Sequence, residues 1–288
     1  MRYSVNVPNF GEFAAPEVFA EVARRAEEAG WDALLVWDHV VERKHLRREI
    51  ADPWILLTAA ALATRRLRLG TAITPVARRR PAKLAREVTT LDRLTGGRMI
   101  LGVGLGAPVD DEYGSFGDTT DTRVLAERLD EGLHALELLW SGTPVTYRGR
   151  QITIDDVVFL PTPVQRPRVP IWVGGLWPNK APMRRAARWD GAIPAMAGME
   201  AARPPDVSTV RELVLFLRRC RAENGLGDRP FDIVIGGMSP GDPAAGRDLV
   251  GPLADLGVTW WEERMPWSDD LERTGPMLRR IGQGPPRI

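Results

Sequence analysis

Few residues in this chain could titrate or attack a substrate near neutral pH. Of its three histidines, only His39 closes an apolar run, in DALLVWDH, directly behind Asp38. Imidazole changes protonation near neutrality, so a histidine at a strand end is the natural candidate for general acid–base work. His45 lies in a basic stretch beside Arg47 and Arg48, and His134 sits within a helical pattern, so a solvated loop and a helix face account for them. Hydrolytic metal centres need several histidine or carboxylate ligands converging on one ion, which scattered histidines and one cysteine do not supply. That cysteine, Cys220, follows LVLFLRR near a helix end, where an idle thiol is the expectation. Neither G-x-S-x-G nor G-x-x-x-x-G-K-[ST] occurs. The chain's own side chains therefore suit proton handling better than nucleophilic or metal chemistry.

Two glycine-bearing segments suggest a bound ligand. GVGLGAP carries Gly104 and Gly106, and GGLWPNKAPMRRAARWDG carries Gly174 and Gly175 ahead of a helix opening at Asn179–Lys180. Glycine lets the backbone approach a ligand closely, and a helix start offers free N–H groups to an anion. Lys180, Arg184 and Arg185 could add charge there. Ten tryptophans against three tyrosines is unusual, and Trp37, Trp177, Trp260 and Trp261 fall at or beside expected strand ends. Flat aromatic walls suit a flat ligand, and Trp267 extends the same pattern. Together these features ask for a planar, phosphorylated cofactor.

The elements that must position these residues alternate. Apolar runs at Tyr3–Val7, Asp32–Trp37, Leu67–Ile73, Met99–Gly104, Pro170–Val173, Gly191–Pro194, Phe231–Ile235 and Val258–Trp261 read as strands. Helical spacing follows each, over Pro16–Ala29, Asp52–Thr64, Pro81–Leu94, Thr122–Trp140, Asn179–Arg188, Val207–Glu223, Pro243–Leu256 and Asp269–Ile281. Val145–Ile154 interrupts the order as an extra hairpin around Gly149. Eight βα units in 288 residues without a linker predict an α/β fold, a single (β/α)8 TIM barrel over residues 1–288 with that small hairpin near 145–154. A doubly wound sheet would carry a dinucleotide fingerprint after its first strand, but VPNFGEF has one glycine. In such barrels the chemistry sits at the carboxyl ends of the strands, where His39 falls.

Composition narrows the partners. Thirty-nine Lys and Arg against 38 Asp and Glu leave a net charge of +1, with no global field for nucleic acid or an anionic membrane. MRYSVNVPNFGEF has no signal-like apolar core, so a cytoplasmic protein is expected.

The segments EEAGWDALLVWDHV, DPWILLTAAALATRRLRLGTAITP, RRPAKLAREVTTLDRLTGGRMILGVGLG, PVQRPRVPIWVGG and MRRAARWDG resemble the luciferase-like flavin-dependent oxidoreductases, the family of bacterial luciferase and of enzymes using the deazaflavin F420. The likeness runs from residue 1 to about 191. It implies F420 or FMN bound at the strand ends, the WDH segment matching the F420 branch, with a small organic substrate and a homodimer. It implies His39 as proton donor or acceptor, with Asp38 near the ring. A non-prolyl cis peptide at Ala72–Ile73, in the bulge with Thr71, would back that ring. Gly104 and Gly106 would adjoin it, and Gly174, Gly175, Leu176, Asn179 and Lys180 match the region holding the phosphate. F420-dependent sugar-phosphate dehydrogenases carry a glutamate where this chain has Ala107, so acid chemistry would fall to Asp110, Asp111 or Glu112 and a sugar phosphate is not supported. A barrel that binds a flavin or other ligand without turnover is the rival reading.

Overall fold

The computed structural model describes residues 1–200, 202–266 and 269–288. Trp267, one of the tryptophans expected at the ligand, lies outside them. Eight parallel strands close a barrel in the order β1, β10, β9, β8, β7, β4, β3, β2. These are β1 (Arg2–Val7), β2 (Ala33–Val36), β3 (Arg68–Pro75), β4 (Met99–Gly104), β7 (Ile171–Trp177), β8 (Gly191–Met196), β9 (Asp232–Gly237) and β10 (Trp260–Glu263). Between β4 and β7 the chain forms α4 (Val109–Glu112), α5 (Thr122–Leu139) and an antiparallel hairpin of β5 (Pro144–Arg148) and β6 (Thr153–Val158) outside the barrel. The remaining helices are α1 (Pro16–Glu28), α2 (Pro53–Ala63), α3 (Pro81–Thr95), α6 (Lys180–Ala186), α7 (Val207–Glu223), α8 (Pro243–Leu256) and α9 (Thr274–Gly282). The expected (β/α)8 architecture is therefore observed.

Local chemistry sets the boundaries. Asp52 caps α2 by accepting from Trp54 N at 2.8 Å while Pro53 takes the first helical position. Several sequence boundaries move. Gly257 ends α8 at φ +99°, and Val258 N donates back to Leu253 O, so Val258 belongs to the helix stop and the last strand begins at Trp260. The strand expected to stop at Val173 runs on to Trp177, so Gly174, Gly175 and Leu176 are strand residues paired with β8. The helix after it has seven residues, and the last one spans only Thr274–Gly282.

Alternation along the strands sorts two cores. The outer core lies between sheet and helices and takes Val5, Val7, Leu34, Val36, Leu101, Val103 and Trp261. The inner core fills the barrel with Ala33, Leu35, Ile100, Trp172, Ile193, Val234 and Trp260. The indoles of Trp172 and Trp260 meet edge to face at 5.1 Å and form its floor. Two residues further along each strand, the inward positions become Gly102 and Gly104, Gly174, Ala195, Gly236 and Glu262. The mouth is thus walled by small residues on one side. On the other, Glu262 and the inward Asn6 of β1 are polar.

Candidate active site

His39 follows β2 and is held from three sides. Asn9 brackets its backbone, donating from Nδ2 to His39 O at 2.8 Å and accepting from His39 N at Oδ1. The Trp37 ring stands edge-on to it at 5.7 Å. Its Nδ1 lies 3.2 Å from Glu112 Oε1, on α4. Glu112 is 1% exposed and heavily hydrogen-bonded. It accepts from the backbone N–H groups of Val40, Val41 and Glu42, the last at 2.6 Å, and from the Arg78 guanidinium. Carboxylates accept only, so the proton in the shared bond sits on His39 Nδ1 and the lone pair on Nε2.

Burial is the largest influence on His39 and pushes its pKa down to about 4, Glu42 and Asp38 pulling upward and Arg78 and Arg48 downward. At neutral pH the imidazole is therefore uncharged and able to accept a proton.

Arg78 joins the two carboxylates of the site. It donates to Asp38 O and Oδ1 at 2.7 and 2.8 Å while also pairing with Glu112. Arg79 takes Asp38 Oδ2 at 3.0 Å and Oδ1 at 2.7 Å. Both Asp38 oxygens are thus occupied by arginine, and Asp38 serves as the anchor of this network. A cavity of about 530 Å³ opens against Val40, Arg78, Arg79, Glu112 and Tyr113, on the arginine side of Glu112.

Across the mouth, β3 bulges. Thr71 pairs with Leu101 and Thr74 with Val103, so Ala72 and Ile73 together stand opposite Gly102. The Ala72–Ile73 peptide is cis. A Cβ on Gly104 would lie 2.9 Å from Ile73 Cδ1, and one on Gly174 3.0 Å from Ile73 Cγ2. These glycines therefore seat the Ile73 side chain, which forms an apolar shelf at the top of the inner core. Thr71 Oγ1 ties β3 to β4 by donating to Gly102 O at 2.9 Å, and Gly106 turns at φ +81° against Pro75.

The remaining sequence candidates lie along β7 and at the start of α6. Gly175 is filled by Pro182, packing α6 onto its strand. Leu176 is half-exposed, and Asn179 precedes α6 without a side-chain cap. Lys180 Nζ sits over the Trp177 ring at 3.6 Å and near Phe216. Of the expected aromatic walls among the described residues, Trp37 alone adjoins His39. Trp260 is in the floor, Trp261 lies in the outer core with Nε1 on Glu263, and Trp177 also faces outward. Among the described residues no cluster of three His, Cys, Asp or Glu could hold a metal, and no helix is long and apolar enough to cross a membrane. Sequence reasoning missed Arg78, although the Arg78–Arg80 run directly behind β3 was a signal for it.

Fold and site define a barrel whose strand ends carry a neutral, carboxylate-anchored histidine after β2 and a bulged apolar shelf on β3. The chain belongs to the luciferase-like monooxygenase family, whose model matches residues 4–239. It is 34% identical over 167 residues to the F420-dependent glucose-6-phosphate dehydrogenase of Kineococcus radiotolerans, a match covering 57% of this chain and 48% of that one. The chain spans about half the length of the F420-dependent dehydrogenases it first matches. Among solved structures it resembles monooxygenase RslO1 from Streptomyces bottropensis, with TM-score 0.69 and 26% identity over 89% of this chain and 77% of that one. The fold is shared with the coenzyme F420-dependent tetrahydromethanopterin reductase of Methanopyrus kandleri, at TM-score 0.77 and 16% identity over 98% and 96% of the two chains.

Proposed function

We propose that the protein is an oxidoreductase that uses F420 or FMN on a small organic substrate, with His39 handling the substrate's proton. The observation that carries this reading is the partly buried His39, uncharged at neutral pH and fixed through Nδ1 on Glu112. Its Nε2 can take a proton from a hydroxyl as hydride leaves the adjacent carbon, or return one in reverse. The bound cofactor would supply the hydride or oxygen chemistry, which no side chain here provides.

The residues present fit a flat ring. Ile73 offers an apolar shelf seated on Gly104 and Gly174, and the neighbouring strand carries the small Ala195. Ala107 stands where sugar-phosphate dehydrogenases carry a glutamate, and Glu112 brings a carboxylate to His39 from later in the same loop. Arg78 and Asp38 hold that pair in register, and Trp37 and Phe10 limit water around the ring.

A homodimer is part of the reading. Helix α2, PWILLTAAALA, is apolar on all sides: Trp54, Leu56, Leu57 and Ala60 are buried while Ile55 and Leu62 remain 60% and 64% exposed. A second copy would cover that face.

Fluorescence titration of the purified protein with FMN and with F420 tests the cofactor. Saturable binding of one supports the reading, and binding of neither removes it. His39→Ala should then abolish turnover and spare cofactor binding; full turnover in that variant would refute the role of His39.

A further inference from the structure

The mouth has a second polar wall that the proton relay does not use. Glu262 on β10 is fully buried, and its neighbours in the inward row, Trp260 below and Ser4 and Gly236 alongside, place it inside the barrel. One carboxylate oxygen, Oε2, receives the Arg264 guanidinium. The other, Oε1, is buried and has no hydrogen-bond partner among the described residues. One strand over, Asn6 on β1 repeats the pattern: it is 7% exposed and its Oδ1 also lacks a partner. Buried acceptors are normally satisfied, because an unmade bond costs about 1–3 kcal/mol.

The surrounding chain keeps Glu262 in this posture. Arg264 lies across Gly236, where a Cβ would collide with its Nε, so the missing side chain on β9 makes room for the clamp. Arg264 N is fixed to Gly237 O at 2.9 Å. The clamp neutralises the carboxylate and leaves one oxygen for something else. Two acceptors on adjacent strands call for a donor.

We propose that Glu262 Oε1, assisted by Asn6 Oδ1, is the substrate-recognition site and selects molecules bearing an O–H or N–H donor, an alcohol or an amine. The word substrate rests on the oxidoreductase reading. The site lies on β10 and β1, while the Ile73 shelf is on β3 against β4 and β7, so the two ligands would occupy different sectors of one mouth. His39 follows β2, the strand next to β1 in the barrel. Asn6 and Glu262 appear in the sequence only as strand-end residues. Their shared lack of partners is a tertiary property.

The test uses matched probes, cyclohexanol, cyclohexylamine and methoxycyclohexane, each titrated by thermal shift against the full chain with and without its cofactor. Wild type should bind the alcohol or the amine at least about tenfold more tightly than the methyl ether, which has no donor, and which of the two wins identifies the group. Glu262→Gln presents an amide N–H₂ to the mouth once Arg264 keeps the remaining oxygen. It should lose the donor preference while its cofactor Kd stays within about twofold of wild type. Gly236→Ala, which displaces Arg264 without touching Glu262, should weaken the same preference. Equal binding of ether and alcohol by wild type overturns the proposal, as does an undiminished preference in both variants. Loss of cofactor binding in Glu262→Gln overturns it too, by assigning the carboxylate to the cofactor. If wild type binds neither cofactor, the oxidoreductase reading fails alone, and the cofactor-free titration still decides whether Glu262 selects donors.

Discussion

Acid should destabilise this protein through His39 before its carboxylates titrate, and the size of the effect follows from the site. An unfolded histidine titrates near 6.5, whereas burial holds His39 at about 4 in the folded chain. Below pH 6.5 the unfolded state therefore takes up a proton that the folded state refuses. The stability contributed by a neutral His39 is complete above about pH 6.5 and is lost as pH falls toward 4. At 1.36 kcal/mol per pKa unit, the interval from pH 7 to pH 5 removes about 2 kcal/mol. In a chain of this size that is a fall of about 5 °C in Tm. His39→Gln is the matched control, since its amide can still donate to Glu112 but does not titrate. Urea unfolding of both proteins at pH 7, 6 and 5 should give curves that converge by about 2 kcal/mol, with wild type losing more. Parallel pH dependences would show that His39 titrates normally, and the argument for a neutral proton acceptor would fall with it.

Three further outcomes are expected. Arg78→Met leaves Glu112 buried without its cation and Asp38 with Arg79 alone, so it should cost about 3–5 kcal/mol in denaturant unfolding; a loss under 1 kcal/mol would mean the network is loosely held. Gly104→Ala puts a methyl group 2.9 Å from Ile73 Cδ1, which should tilt the shelf, weaken the bound cofactor about tenfold and leave the far-ultraviolet circular dichroism unchanged. Unaltered affinity would detach the shelf from cofactor binding. Leu62→Glu on the outer face of α2 should convert a dimer to a monomer by light scattering, and an unchanged mass would place any dimer contact elsewhere.

The barrel was legible because each parallel strand is buried on both faces, so runs such as ALLV and MILGVG stand out between glycine and proline stops. The errors fell where one residue serves two elements. Val258 looks like a strand residue but closes the Schellman turn of α8, and Gly174 and Gly175 look like a loop but are strand. His39 was visible as a polar residue ending an apolar run. The partnership of Glu112 with Arg78 was not, because loop closure joins residues 34 apart, and no periodicity records that. In the fold the missing side chains make room for neighbours: Gly104 and Gly174 admit Ile73, Gly175 admits Pro182 and Gly236 admits Arg264. Composition announces a missing side chain, and only packing says what occupies its place. The tryptophans mislead for the opposite reason, since a large apolar ring suits a core as well as a ligand.

The paired indoles of Trp172 and Trp260 have a kinetic consequence. They stopper the lower half of the barrel, with Leu35, Ile100, Ile193 and Val234 packed around them. The cup they close is filled and emptied over one rim. On the oxidoreductase reading, a ring on the Ile73 shelf and a donor held at Glu262 would both enter over that rim, side by side.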